Sequence, residues 1–282
     1  MFSRPETSIF EQRVDRFDAI VDWPRRLARE TPFYHRWFAE VSARRVLDAA
    51  CGTGHHARMF HEWGLEVEAA DVSPAMIAWC RQRYGQPAGL RWVERSFTQS
   101  ADPPGQFDAA LCVGNSLALA DSLQTVGAAL AAMIAGLRPS GVCIVHVLNI
   151  FTLPDGPTQW QKCVRVRTNL RTANQKPSHT TPIRAGLCEP GPSRTEGDHI
   201  LLKSIRRVGD RAFIDFVDLE LTADGGVKQE SQSESLLGLR PDDLADAAGT
   251  AGAEDIRFFG NYQQEPYSPA SSPDLILVCR RP

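Results

Sequence analysis

Val46-Leu47-Asp48-Ala49-Ala50-Cys51-Gly52-Thr53-Gly54 is the stretch on which the fold of this chain turns. Arg45 to Ala50 predicts a short buried strand. Gly52 and Gly54 then let the backbone turn sharply and come close to a ligand. A helix is expected from His55 to Trp63, ending near Gly64, and its positive N-terminus faces the turn. With Ala57 the stretch also fits the Gly-x-Gly-x-x-Ala form of a dinucleotide site, and a plain tight turn has the same look. Asp48 separates these readings. A carboxylate at the end of the strand repels a pyrophosphate and attracts a ligand that carries an ammonium group.

Working outward, the same alternation repeats. Leu65 to Ala70 reads as a second strand ending at Asp71, and Ser73-Pro74 opens a helix with a capping Ser and a first-turn Pro. Leu90–Val93 and Phe107–Val113 read as third and fourth strands. Leu123–Leu137 is an Ala-rich helix closed by Arg138-Pro139-Ser140-Gly141, and Val142–Leu148 is a fifth strand, apolar apart from His146. Near-continuous apolar strands alternating with helices indicate a parallel sheet covered on both faces. Upstream, residues 8–42 look helical, with Phe10, Val14, Phe17, Ile20 and Val21 near helical spacing, and Pro24 and Pro32 are expected to break the segment into short helices.

After residue 150 the pattern changes. Residues 152–198 are rich in Pro, Gly, Thr and Ser, with one strand expected near Cys163–Asn169. His199–Val208 and Arg211–Leu221 alternate around Gly209-Asp210, a hairpin signal, and Val227–Leu237 continues the pattern. A helix (Pro241–Ala251) and two strands (Asp255–Tyr262, Asp274–Cys279) close the chain. No internal repeat is visible.

At 282 residues the chain suits one large α/β domain with an insertion, or two small domains. A hydrophobic content of 43% supplies a core, and a net charge of −3 argues against a general nucleic-acid binder. The seven cysteines form no Cys-x-x-Cys pair, so no metal site or disulfide framework is expected, and their usage reads as cytoplasmic. The first eleven residues are unlike a signal peptide, and no apolar run approaches the roughly 20 residues that span a bilayer.

Ligands of an open parallel sheet bind beyond the carboxyl ends of its strands. Four such ends carry polar or glycine residues here. Asp48 with Gly52 and Gly54 is the first. Asp71, 17 residues beyond Gly54, is placed to accept hydrogen bonds from ribose hydroxyls, or to initiate the helix at Ser73. Ser96-Phe97 offers an aromatic face and a hydroxyl that suit adenine, or a core Phe after a turn. Gly114-Asn115-Ser116 should face the reacting end of the ligand, where Asn115 binds substrate, orients a nucleophile or simply makes a turn.

Together these residues resemble the class I S-adenosylmethionine (SAM)-dependent methyltransferases. Val46–Gly54 resembles the family's first motif, Glu68-Ala-Ala-Asp71-Val-Ser-Pro-Ala-Met76 the second, Phe107-Asp-Ala-Ala-Leu-Cys-Val-Gly-Asn-Ser116 the fourth, and Leu137-Arg-Pro-Ser-Gly141 the turn before the fifth strand. The likeness covers roughly residues 40–150, and Gly260-Asn-Tyr262 with the last strand resembles the family's C-terminal hairpin more loosely. Within the class, Val113-Gly-Asn-Ser116 and the helical N-terminal extension are similar to the glycine N-methyltransferase-like group.

The resemblance implies a Rossmann-like, seven-stranded, mostly parallel α/β sheet with helices on both faces, plus an antiparallel β insertion or lid. It implies a helical cap over 1–42, a SAM-binding core over 43–150, a β-rich substrate lid over 151–238, and a helix and β-hairpin over 239–282 that complete the sheet. SAM would be held by Asp48, Ala50, Gly52, Gly54, Asp71, Val72, Met76, Ser96, Phe97 and Val113. Trp23 and Arg26 would reach in from the extension, where Phe17 and Arg29 are further candidates. Two departures stand out. Many relatives carry an acid where this chain has Ser96. The glycine enzymes hold the substrate carboxylate with an Arg where this chain has Leu148, so glycine is a poor guess for the substrate.

Methyl transfer is an in-line displacement, so the protein must chiefly align the acceptor and exclude water. His146 and Tyr34 are the candidate bases and Asn115 the positioner, although a His in an apolar strand is more often a core residue. The expected reaction methylates an N or O atom of a small molecule. Residues 160–211 hold 11 Lys/Arg against 4 Asp/Glu, which suits an anionic one or simply a solvated face. A non-catalytic SAM-binding regulatory or assembly protein and an NAD(P)-dependent oxidoreductase are the alternatives. The oligomeric state stays open, a homodimer being compatible with the sequence.

Overall fold

The computed structural model describes residues 14–167, 198–222 and 224–282. The expected helix start at residues 8–13, Cys188 and much of the basic stretch lie outside them. The helices are α1 (Val14–Ile20), α2 (Trp23–Glu40), α3 (His55–Glu62), α4 (Pro74–Tyr84), α5 (Leu123–Gly136) and α6 (Pro241–Thr250). Strands β1 (Arg45–Asp48), β2 (Glu66–Asp71), β3 (Leu90–Glu94), β4 (Phe107–Cys112), β5 (Leu137–Leu148), β10 (Glu254–Phe259) and β11 (Asp274–Arg280) form one seven-stranded sheet. Its order is β10-β11-β5-β4-β1-β2-β3, with β1 to β5 parallel and the β10–β11 hairpin antiparallel. β6 (Gln159–Arg167), β7 (Asp198–Val208), β8 (Arg211–Leu221) and β9 (Val227–Leu237) form a separate antiparallel sheet.

The apolar pattern explains this arrangement. All six residues of β4 are buried, as a central parallel strand covered on both faces requires. In β8 the burial alternates along the strand, because only one face of the second sheet meets the core. That face contributes Leu201, Ile205, Ile214 and Phe216 to the same apolar cluster as Leu130 and Met133 of α5. On the opposite face of the main sheet, α2 buries Phe33, Tyr34, Trp37 and Phe38 beside Ile276 and Val278. Ser73 and Ser122 cap α4 and α5 by accepting from the amides of Met76 and Thr125.

Two local expectations are corrected. Pro32 does not break the helix: α2 runs unbroken past it. Pro32 and Ala28 are exposed, so the carbonyl that loses its i+4 donor has water beside it, while the opposite face is held by packing. The expected Arg138–Gly141 turn belongs to β5 as an irregular entry. Ser140 has φ 65° and the pairing with β4 slips between Leu137 and Val142. Among the described residues, no helix is long and apolar enough to cross a membrane.

Candidate active site

The strand order reverses between β1 and β4, so their carboxyl ends open a crevice. β1 ends on Asp48, which is 1% exposed and whose carboxylate oxygens reach no side-chain partner among the described residues. Burial, then the charge of Asp71, pushes its carboxyl up to about 7, and the Ala50 amide, then Arg26, offset only part of this. An orphaned buried carboxylate is costly unless a cation pairs with it. Beyond it the chain turns through Gly52 (φ 53°) and Gly54 (φ 78°). A Cβ on Gly54 would lie 2.8 Å from Cys80 Sγ and from the Trp92 ring, whereas one on Gly52 would meet nothing within 4 Å. The loop is packed from behind and open in front.

Asp71 braces this loop. Its Oδ2 accepts from Gly52 N (2.8 Å) and its Oδ1 from Ser73 N (2.9 Å). The reading of Asp71 as helix initiator is therefore visible in its geometry, and its second oxygen ties it to the glycine turn. Met76 is buried and Val72 is 61% exposed. Ser96 and Phe97 line a narrow crevice with Leu47, Ala49, Arg95 and Gln99, and Ser96 Oγ lies 3.0 Å from Thr98 Oγ1. Ala50 lies two residues beyond β1, and Val113 directly follows β4. A buried carboxylate without a side-chain partner among the described residues, an open glycine turn and a second carboxylate beside it fit a group carrying an ammonium and a ribose.

A cavity of about 540 Å³ lies between the N-terminal helices, the ends of β4 and β5, and the inner face of the second sheet. Arg26, Glu30, Gly114, Asn115, His146 and Lys203 are among its lining residues. Asn115 adopts φ 75°, a conformation Asn tolerates better than most residues. Its Oδ1 accepts from Leu148 N (2.6 Å), which assigns the amide and leaves Nδ2 as a donor. His146 Nδ1 accepts from Gly114 N (3.2 Å), so the neutral ring carries its proton on Nε2, 3.1 Å from Asp274 Oδ1. In this tautomer neither ring nitrogen offers a lone pair to the cavity. His146 thus holds the Gly114 amide at the edge of the cavity.

Tyr34 does not line the cavity. It is wholly buried, with its hydroxyl 3.1 Å from Glu30 Oε2 and 3.3 Å from the Tyr262 hydroxyl. Burial and the Tyr262 neighbour push its pKa well up, the wrong direction for a base near neutrality. Trp23 stacks on His55 at the start of α3 (4.1 Å between centroids), and the Arg26 guanidinium lies over the Trp23 ring. A Cβ on Gly114 would come within 3.0 Å of that guanidinium. Trp23 and Arg26 therefore meet the start of α3 and the end of β4. Phe17 lies in α1, and Arg29 stands 3.8 Å from Glu30.

Glu30 is the residue that sequence reading missed. Its buried carboxylate receives Arg26 Nε (2.8 Å), His56 Nε2 (2.7 Å) and the Tyr34 hydroxyl. Burial alone would raise its pKa, but His56 and then Arg26 outweigh it and hold the group at about 2. The available signal was helical spacing: Arg26, Glu30 and Tyr34 recur every four residues on one face of α2.

Residues 46–141 match the family described as "Methyltransferase domain". This stretch is a class I SAM-dependent methyltransferase domain. Within that class, the chain is 35% identical over 148 residues to the glycine/sarcosine N-methyltransferase of Parasynechococcus marenigrum, covering 52% of each. It spans about half the length of the curated relatives it matches first. The fold is similar over 99% of both chains to the CcbJ methyltransferase of Streptomyces caelestis (18% identity, TM-score 0.69). It is equally similar to the sugar N-methyltransferase KedS8 of a Streptoalloteichus species (20% identity, TM-score 0.69, 100% and 99% covered).

Proposed function

We propose that this chain is a SAM-dependent methyltransferase that methylates a nitrogen or oxygen of a small molecule. The observation that carries the reading is Asp48, a buried carboxylate without a side-chain partner among the described residues at the point where the strand order reverses. The named activities of the relatives, N-methylation of glycine, sarcosine and sugars, favour nitrogen as the acceptor.

SAM, when bound, supplies a methyl carbon activated by its sulfonium. Asp48 would hold its ammonium, Asp71 its ribose, and Met76 with Ser96 and Phe97 its base. Gly114 and Asn115 line the cavity at the end of β4, and Asn115 Nδ2 would orient the acceptor molecule by donating to a polar atom other than the nucleophile. Alignment of the acceptor accounts for most of the expected rate. Residues 1–42 would cap the site, 43–150 hold SAM, 151–238 cover the substrate, and 239–282 complete the sheet. A cytoplasmic enzyme acting on a small molecule, without nucleic acid or membrane, is the corresponding setting.

Calorimetry with SAM, S-adenosylhomocysteine and NAD tests the donor, and SAM turnover across amines, phenols and carboxylates tests the reaction. Binding of the sulfur ligands but not NAD is expected, with turnover on at least one amine. Failure to bind either sulfur ligand would remove the proposal. Asp71→Ala should weaken SAM binding by roughly 1.5–3 kcal/mol, the scale of hydrogen bonds to a charged group; unchanged affinity would take Asp71 out of the site.

A further inference from the structure

The cavity wall contributed by the second sheet has an unusual charge arrangement. β6 and β7 pair antiparallel, with Trp160 opposite Ser204. Continued without interruption, this register would place Gln161 opposite Lys203 and Lys162 opposite Leu202. Instead the register slips by one residue, and Lys162 stands directly opposite Lys203. Bulges of this kind re-aim side chains beside functional sites. Both lysines line the cavity.

Two like charges opposite each other on neighbouring strands repel. Acidic neighbours could relieve this, but they are otherwise engaged. Five cationic side chains line the cavity (Arg25, Arg26, Arg29, Lys162, Lys203) against three carboxylates (Asp22, Glu30, Glu234). Glu30 is taken by Arg26 and His56, Asp22 caps α2, and Glu234 has interactions of its own. The Lys203 ammonium makes no hydrogen bond or ion pair among the described residues. It lies 5.9 Å from the centre of the Phe216 ring. Burial, with the charges of Arg26 and Lys162, lowers its pKa to about 8. Ile20, Leu119, Ile214, Phe216 and Leu236 give the wall its apolar part, and Asn115, His146 and Gln161 are its uncharged polar side chains.

From the bulge, the Lys162–Lys203 pair and the apolar wall around it, we infer that the cavity seats an oxyanion, so that the methyl acceptor is a small, partly apolar molecule carrying a carboxylate or phosphate. This rests on the methyltransferase reading for the word acceptor, but the anion seat stands on its own observations. An oxyanion between the two ammonium groups removes their repulsion and gives Lys203 a partner. The apolar side chains take up the skeleton, and Asn115 meets a polar atom of the acceptor on the opposite wall.

The test is calorimetric titration of the full chain, with and without S-adenosylhomocysteine, using three probes on one skeleton: 4-(aminomethyl)benzoate, 4-(aminomethyl)phenyl phosphate and 4-(aminomethyl)benzamide. At least one anion should bind about tenfold or more tightly than the neutral amide, as charge-assisted hydrogen bonds imply. The better anion identifies the group. Lys203→Met should abolish the advantage and Lys203→Arg keep most of it, with thermal unfolding midpoints confirming that both variants fold. Equal binding of amide and anions, no binding of any probe, or an advantage that survives Lys203→Met would overturn the inference. An anion preference in a chain that binds no S-adenosylhomocysteine would leave the seat standing and remove the methyltransferase reading. The reverse result would remove the seat alone.

Discussion

Asp48 and Glu30 are two buried carboxylates whose environments push them in opposite directions. Between the ordinary carboxylate value of 3.8 and about 7, folded Asp48 keeps a proton that the unfolded chain has lost. Raising the pH across that window therefore costs stability. A bound ammonium reverses the balance by favouring the ionised form. Affinity for S-adenosylhomocysteine should then rise with pH, by close to tenfold per unit well below 7 and flattening above it, as titrations from pH 5.5 to 8 would read. A flat profile would detach Asp48 from the ligand. Glu30 behaves the other way. Its folded value of about 2 lies below the ordinary 4.5, so its stabilisation is complete above 4.5 and lost as the pH falls toward 2. Glu30→Ala leaves the Arg26 and His56 partners uncompensated and should cost about 3–5 kcal/mol in urea unfolding.

Among the elements, the turn from β1 into α3 is the least tolerant. Gly54 combines a left-handed φ with a Cβ position already filled by Cys80 and Trp92. Gly54→Ala should therefore destabilise the fold by at least about 1–3 kcal/mol, measured by denaturant unfolding, and weaken SAM binding with it. This turn was legible because glycine spacing after an apolar strand is a local signal. So were β1 to β4, whose bounds follow their apolar runs, and the capping Ser73. Pro32 was misread for a complementary reason. The local rule forbids it in a helix interior, and only the packing of Phe33, Tyr34, Trp37 and Phe38 shows why α2 continues. The slip that sets Lys162 against Lys203 has no local signature, since either register leaves the sequence equally alternating.

Across the whole molecule, α1 joins three parts. Asp18 accepts from His55 Nε2 (2.7 Å) at the start of α3 and lies 3.9 Å from Arg83 of α4. Arg16 pairs with Asp218 of the second sheet, which also holds His199. The helix thus ties the glycine turn to the sheet that walls the cavity. S-adenosylhomocysteine binding should raise amide exchange protection over residues 14–22, read by hydrogen exchange with mass spectrometry. Unchanged protection there would show that the cap does not sense the donor. His55 and Asp18 are 37 residues apart, and Arg16 and Asp218 far more, so no periodicity could have paired them.

The order of elements and the glycine turn were determined by the sequence alone, because each depends on neighbours within a few residues of itself, and the sequence also put Asp48 and Asp71 at strand ends. The acceptor side was decided only in three dimensions. Glu30, Lys203, Tyr34 and His146 derive their states from partners on other elements: a buried carboxylate ringed by donors, a lysine facing a lysine, a hydroxyl tied to Glu30, an imidazole held by the Gly114 amide. Charge state and accessibility depend on burial and on which groups converge, and both arise only when the two sheets and the N-terminal helices close on one cavity.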